Sequence, residues 1–187
     1  AVSIGYFRKD VKNAIYPRLI AGNQVGFQFT ELETYVNSDK STVDWIEFNF
    51  FREFVNFIEP FDGLFISLNL TEVDAESVLT SDQGTFTVPF RKLADSTRNL
   101  SIGYDKGKVD MRLSLAQRSD YLDYLADDDI ETTTDNLNYD NIRYTDDHSQ
   151  IDFTAKYYWN DNLTLKLDLI NINDEPEFYY WGNTSRL

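Results

Sequence analysis

The sequence predicts an all-β chain, an antiparallel meander of about seven strands forming part of a transmembrane β-barrel. Three observations carry that expectation. Apolar residues recur at every second position in seven segments. The connections between those segments alternate between long and short. No segment shows the apolar spacing of an amphipathic helix of useful length.

The first segment begins with Val2, Ile4 and Tyr6 and runs to about Arg18. In the second, Ile46, Phe48 and Phe50 alternate with Glu47 and Asn49. The third has Leu64, Ile66, Leu68 and Leu70 against Phe65, Ser67, Asn69 and Thr71. Leu100, Ile102 and Tyr104 mark the fourth, and Val109, Met111, Leu113 and Leu115 the fifth, set against Asp110, Arg112 and Ser114. Ile151, Phe153, Ala155 and Tyr157 make the sixth, around Asp152, Thr154 and Lys156. The seventh carries Leu163, Leu165, Leu167 and Leu169, with Thr164, Lys166 and Asp168 between them. A period of two gives each strand one oily and one polar face.

Long connections at about 19–34, 79–97 and 125–147 alternate with shorter ones at 56–63, Asp105-Lys106-Gly107-Lys108 and Asn160-Asp161-Asn162. An open-ended segment follows Asp174. In a meander this gathers every long connection at one end, as in outer-membrane barrels. A soluble sandwich has no reason to keep that asymmetry. Tyr6, Tyr104 and Tyr157 end the oily faces, where an aromatic girdle meets the lipid boundary. Alternation alone also fits a sandwich, so the connections and the tyrosines decide for lipid. Single-chain barrels of this type close with an even number of strands. Seven strands therefore leave two open edges, and the expectation is a piece of a larger barrel.

Composition narrows the chemistry. Seventeen Lys+Arg against 32 Asp+Glu give a net charge of -15, which disfavours nucleic acid as a partner. No apolar run reaches the ~20 residues of a transmembrane helix, which decides nothing for a barrel. There is no Cys and one His, so thiol chemistry and most zinc sites are excluded. His148 lies between Asp147 and Ser149, but catalytic triads are assembled from separate elements, and neither an enzyme nor a cofactor is expected. The 125–147 segment holds eight carboxylates against Arg143 alone. Asp127, Asp128 and Asp129 are a weak Ca²⁺ candidate, without EF-hand spacing, beside the plainer reading of a solvated outer loop. Aromatic residues cluster at the long-connection end. Tyr121, Tyr124, Tyr144, Tyr179 and Trp181 are candidate ligand contacts, since their flat faces and polar tips suit sugar rings or flat chelates. An upper girdle or packing between loops is the plainer account of most of them.

Several blocks resemble one family. They are Gly5-Tyr6-Phe7 with Lys9-Asp10-Val11-Lys12-Asn13, Phe61-Asp62-Gly63-Leu64 with Asn69-Leu70-Thr71, Tyr104-Asp105-Lys106-Gly107, and Arg118-Ser119-Asp120-Tyr121. Asp146-Asp147-His148-Ser149-Gln150-Ile151-Asp152 and Asn171-Ile172-Asn173-Asp174-Glu175-Pro176 complete the set. In order and spacing they resemble the C-terminal barrel portion of TonB-dependent outer-membrane receptors, in the branch common in Xanthomonas-, Caulobacter- and Alteromonas-type bacteria. Trp45 departs from the pattern, which more often has glycine there. The resemblance implies that residues 1–187 are wall of a 22-stranded barrel filled by an N-terminal plug, with plug and closing strand outside this sequence. It implies a Gram-negative outer-membrane location and import of a scarce small-molecule nutrient, driven by TonB acting on the plug. A carbohydrate or other organic ligand is favoured over a ferric siderophore. Two other expectations compete with it: a self-standing small outer-membrane barrel with a structural or adhesive role, using 24–36 as an eighth strand, and a soluble glycan-binding β-sandwich.

Overall fold

The computed structural model of the chain describes residues 1–24, 27–81, 84–124 and 143–182. The described residues form strands and no helix, in antiparallel sheets. In chain order the strands are β1 (Val2–Val11), β2 (Ile15–Gln24), β3 (Phe27–Asn37), β4 (Lys40–Glu53), β5 (Leu64–Ser81), β6 (Gly84–Pro89) and β7 (Ser96–Lys106). They continue with β8 (Val109–Arg118), β9 (Tyr121–Tyr124), β10 (Arg143–Thr145), β11 (His148–Asn160), β12 (Leu163–Leu169) and β13 (Tyr179–Trp181).

The main sheet runs β1-β4-β5-β7-β8-β11-β12, and β6 extends it along the far part of β5. These seven strands are the seven alternating segments of the sequence, each paired with the next of them along the chain. Among the described residues the outer edges of β1 and β12 have no partner, so the sheet is open and no closed barrel forms. Two-residue turns join β7 to β8, through left-handed Gly107 (φ 63°), and β11 to β12.

The long connections differ from the loops expected. The first holds the β2–β3 hairpin, a separate two-stranded sheet, so β3 supplies no eighth strand to the meander. β1 ends at Val11, well short of Arg18, because Asn13 turns the chain with a positive φ of 58°. The second contains β6, and the third, with the chain after β12, contains β9, β10 and β13 in a small sheet of order β13-β10-β9. All of these additions lie at the long-connection end.

There the faces exchange character. Low on β4 and β5 one face carries Ile46, Phe48, Phe50 and Leu64, Ile66, Leu68, Leu70. Higher up, the same face carries Asp44, Glu72, Asp74 and Glu76, while Val43, Val73, Ala75 and Leu79 occupy the other. The buried cluster of Tyr16, Leu79, Val88 and Leu122 sits at this end, with Ala14, Val36 and Tyr144 packed on it. The core thus closes the long-connection end and leaves the lower sheet uncovered. Trp45 fits regular strand, stacked on Phe7 at 5.1 Å between ring centroids.

A chain of buried hydroxyls anchors the β2–β3 hairpin to the sheet. The Tyr16 hydroxyl donates to Ser77 Oγ at 2.7 Å, Ser77 meets Ser41 at 2.7 Å, and Ser41 meets Ser38 at 2.9 Å. Ser38 Oγ accepts from the Ala14 amide. Ser77→Ala is therefore expected to cost about 1–3 kcal/mol, because it removes two buried hydrogen bonds at once. Tyr16→Phe removes one bond and costs about 1 kcal/mol. Denaturant titration of the two variants checks the order.

Candidate functional site

Two surfaces carry chemistry: the apolar field of the main sheet and the aromatic assembly at the long-connection end.

The apolar field crosses all seven strands in paired rows. One row is Val2–Phe50–Leu68–Leu100–Leu115–Ile151; the next is Ile66–Ile102–Leu113–Phe153–Leu169. Below it runs Leu64–Tyr104–Met111–Ala155–Leu167. The extensive strand–strand contacts are between neighbours in the same sheet, and the packing between sheets, around Tyr16, Leu79, Val88 and Leu122, lies at the long-connection end, so no described strand packs over the field. Ile4 is 74 % exposed, Leu113 46 % and Leu165 51 %. A shallow apolar groove of about 300 Å³ lies along it, lined chiefly by Val109, Met111, Ala155, Tyr157, Leu165 and Leu167.

The upper edge of this field slopes. Its topmost apolar residues are Tyr6, Ile46, Leu70, Leu100, Leu115, Ile151 and Leu169 on successive strands. Straight pairing would carry Ile46 to Glu72, Leu70 to Arg98 and Leu169 to Phe153. The edge thus drops two residues at each of three steps and stays level at the other three. Six residues over six strand steps amount to about 20 Å along the strands against about 29 Å across them, a slope of about 35°.

The opposite face is polar at the same height, as the alternation predicts. Asn99 donates to Asn69 at 3.3 Å, Asn69 to Asn49 at 2.8 Å, and Asn49 and Asn69 both to Glu47. Lys156 pairs with Asp110 at 2.8 Å, and Thr154 donates to Asp168. Gly103 lies between Phe65 and Arg112 in one cross-strand row, and the Arg112 guanidinium stands 5.3 Å from the Phe65 ring centre.

At the long-connection end, β10 brings Arg143 between the aromatic residues of its two neighbours. Its guanidinium lies 5.9 Å from Tyr124, 5.3 Å from Tyr179 and 5.8 Å from Trp181. It also pairs with Asp123, Nε donating at 2.8 Å. The carboxylate of Asp123 is largely buried, which makes a charged partner necessary. Tyr144 stacks on Tyr180 at 5.3 Å and 10°, and the Tyr180 hydroxyl donates to Asp120 at 2.5 Å. Burial, then the Asp120 carboxylate, raises the Tyr180 hydroxyl well above its ordinary pKa.

Of the predicted contacts, Tyr124, Tyr179 and Trp181 converge on one arginine, and Tyr144 joins them through β10. Tyr121 instead lies against Arg118, 5.0 Å away. Tyr179 and Trp181 remain more than half exposed. Asp127, Asp128 and Asp129 lie outside the described residues. His148 opens β11, paired in register with Arg118, and Ser149 Oγ accepts from Gln117. Sequence reasoning passed over Arg143 and Asp123. The signal was there, one cation in an acidic segment flanked by tyrosines.

Asp95 sits near the same end. Burial first, then Asp120, Asp74 and Glu72, raise its carboxyl above the usual range. An acid with a raised folded pKa costs stability when ionised, and the cost disappears as pH falls through that pKa. Asp95→Asn is therefore expected to raise Tm at about pH 7, with the gain shrinking towards about pH 4. Melting curves of both proteins across that range check it.

No family model, curated protein or solved structure significantly matches the chain.

Proposed function

We propose that the chain is a stretch of wall of an outer-membrane importer of the TonB-dependent receptor type. The apolar field faces lipid, the Asn49–Asn69–Asn99 face lines the lumen, and the long-connection end faces outward. The observation that carries this reading is the uncovered apolar field with an edge inclined by about 35° to the strand pairing. Apolar surface of this extent is rare on a water-soluble monomer. A lipid layer is flat, so strands crossing it at that slope are tilted by the same amount, which is the tilt of transmembrane barrels. The exchange of faces higher up supports it too. Above the bilayer water surrounds the outer surface, so charge moves outside and the core inside.

The open edges of β1 and β12 call for further strands, supplied by the remainder of the barrel. Transport then involves binding, and no reaction is catalysed. Tyr179 and Trp181, held beside Arg143 and more than half exposed, are suited to stacking on a carbohydrate or similar organic nutrient. A plug within the remainder of the barrel would connect the site to TonB.

The intact mass of the native polypeptide in purified outer membranes tests the reading. A mass several times the 21.8 kDa of this chain is expected. A native polypeptide of about that mass, or one absent from the outer-membrane fraction, overturns it.

A further inference from the structure

We infer that the β4–β5 connection, residues 54–63, is a membrane-interface anchor, its apolar side chains set into the headgroup–acyl boundary of the leaflet on the short-turn side. The inference rests on the reading of the apolar field as lipid-facing, and extends it to a segment that is not a strand.

This connection is unlike the other two on its side. Those turn through Gly107-Lys108 and Asp161-Asn162, all polar or glycine. Residues 54–63 instead present Val55, Phe57, Ile58 and Phe61, each at least half exposed, with Ile58 at 72 %. Their exposure belongs to an ordered loop. Phe54 N donates to Leu64 O, Gly63 N to Phe54 O and Phe61 N to Ile58 O, all within 2.9 Å. Gly63 also accepts from Asp105 N, and a Cβ there would stand 2.7 Å from the Asp105 carbonyl oxygen.

The loop's two carboxylates are both paired, although the Glu59 side chain stays 69 % exposed. Glu59 and Asp62 both pair with Lys106 at the end of β7, Asp62 at 3.0 Å. Asp62 Oδ1 also accepts from Phe57 N. Neutralised carboxylates lower the cost of approaching a low-dielectric layer. Besides Asn56 and the paired Glu59, the exposed side chains of the loop are apolar.

The occupant follows from continuity. The Phe54–Leu64 bond continues the β4–β5 ladder, so Phe54 falls into the row Leu64–Tyr104–Met111–Ala155–Leu167. Phe57 meets Phe54 edge-on at 5.5 Å, carrying the field into the loop. Arg52 stands 5.6 Å from the Phe54 ring, its stem along the field and its charge beside an aromatic face. Trp159, 58 % exposed, ends β11 on the same side, and Lys108 Nζ donates to its carbonyl oxygen. Aromatic rings with a nearby cation at the edge of an apolar band suit the membrane interface.

The test uses single cysteines, which nothing in this sequence competes with, since it has none. Ile58→Cys, Leu165→Cys and Asn162→Cys are made in the full-length protein and labelled with an environment-sensitive fluorophore. Each is reconstituted into phosphatidylcholine vesicles containing spin-labelled lipid. The Ile58 label is expected to shift to the blue and to be quenched by headgroup-proximal spin labels more than by deep ones, with little quenching by aqueous iodide. If Ile58 behaves like Asn162, quenched by iodide, while Leu165 is quenched by lipid, the anchor is refuted and the lipid-facing field stands. If the Ile58 label escapes both quenchers, a protein surface covers the loop and the anchor is refuted. If Leu165 is itself quenched by iodide, the underlying reading fails and the anchor with it.

Discussion

Leu113→Arg, in the middle of the apolar field, is expected to destabilise the bilayer-inserted protein by about 2–4 kcal/mol. Leu113 pairs with Ile102 on one side and Phe153 on the other, and no polar partner shares its row nearby. At mid-bilayer depth, the guanidinium must either stay in hydrocarbon or thin the membrane to reach water. At a half-exposed position facing water, the same change is expected to stay within about 0.5 kcal/mol. The two environments therefore predict values that differ several-fold. Denaturant titration of folding into lipid vesicles measures the difference. Leu70→Arg, at the upper edge, is expected to cost about 0–1 kcal/mol, since depth sets the penalty.

Gly103→Ala, on the opposite face, is expected to cost about 1–3 kcal/mol. The added methyl group would stand 2.8 Å from the Met111 carbonyl oxygen and inside the van der Waals envelope of the Phe65 ring. Gly103 is buried because that ring covers it, a cross-strand arrangement in which an aromatic residue shields a glycine. Phe65 would have to leave its place, separating it from Arg112 and from Phe51, 6.4 Å away. Removing the obstacle should recover part of the loss. Phe65→Ala combined with Gly103→Ala is expected to cost less than the sum of the two single changes. Additivity would mean that the ring does not set the requirement for glycine.

The two faces differ in how far the sequence disclosed them. Leu163–Leu169 declares its strand and its faces because apolar and polar residues alternate over its whole length. The same holds for Leu64–Leu70 and Val109–Leu115, and the pairing follows from short turns. The signal fails at the height where the faces exchange. In β4 the apolar positions change parity between Trp45 and Ile46, so the alternation that starts at Ile46 misses the strand's first six residues. β5 likewise continues to Ser81 with its outer positions occupied by Glu72, Asp74 and Glu76. On the lipid-facing proposal these strands pass from one solvent to another and so reverse their pattern, and a search for a single period stops there.

The aromatic site was half legible. Residue type and position picked out Tyr124, Tyr144, Tyr179 and Trp181, but nothing local says that β9, β10 and β13 pair. Those strands have three or four residues, too few for a period, and their pairing depends on Arg143 and Asp123, 20 residues apart. The 54–63 loop was legible in another sense. Phe54, Val55, Phe57, Ile58 and Phe61 are plain in the sequence, but only the ion pairs to Lys106 and the register of Phe54 give their exposure a direction.

The central claim is that the apolar field faces lipid, and β12 tests it most directly. As the edge strand of the described sheet it exposes all seven residues, so nothing among the described residues makes one face of it less accessible than the other. Cysteines placed singly from Leu163 to Leu169 in the membrane-embedded protein, spin-labelled and measured for collision with oxygen and with a water-soluble nickel complex, read the surroundings directly. The lipid-facing account predicts a period of two, with oxygen dominant at positions 163, 165, 167 and 169 and not at 164, 166 and 168. Nickel-dominant collisions at the leucine positions would contradict it.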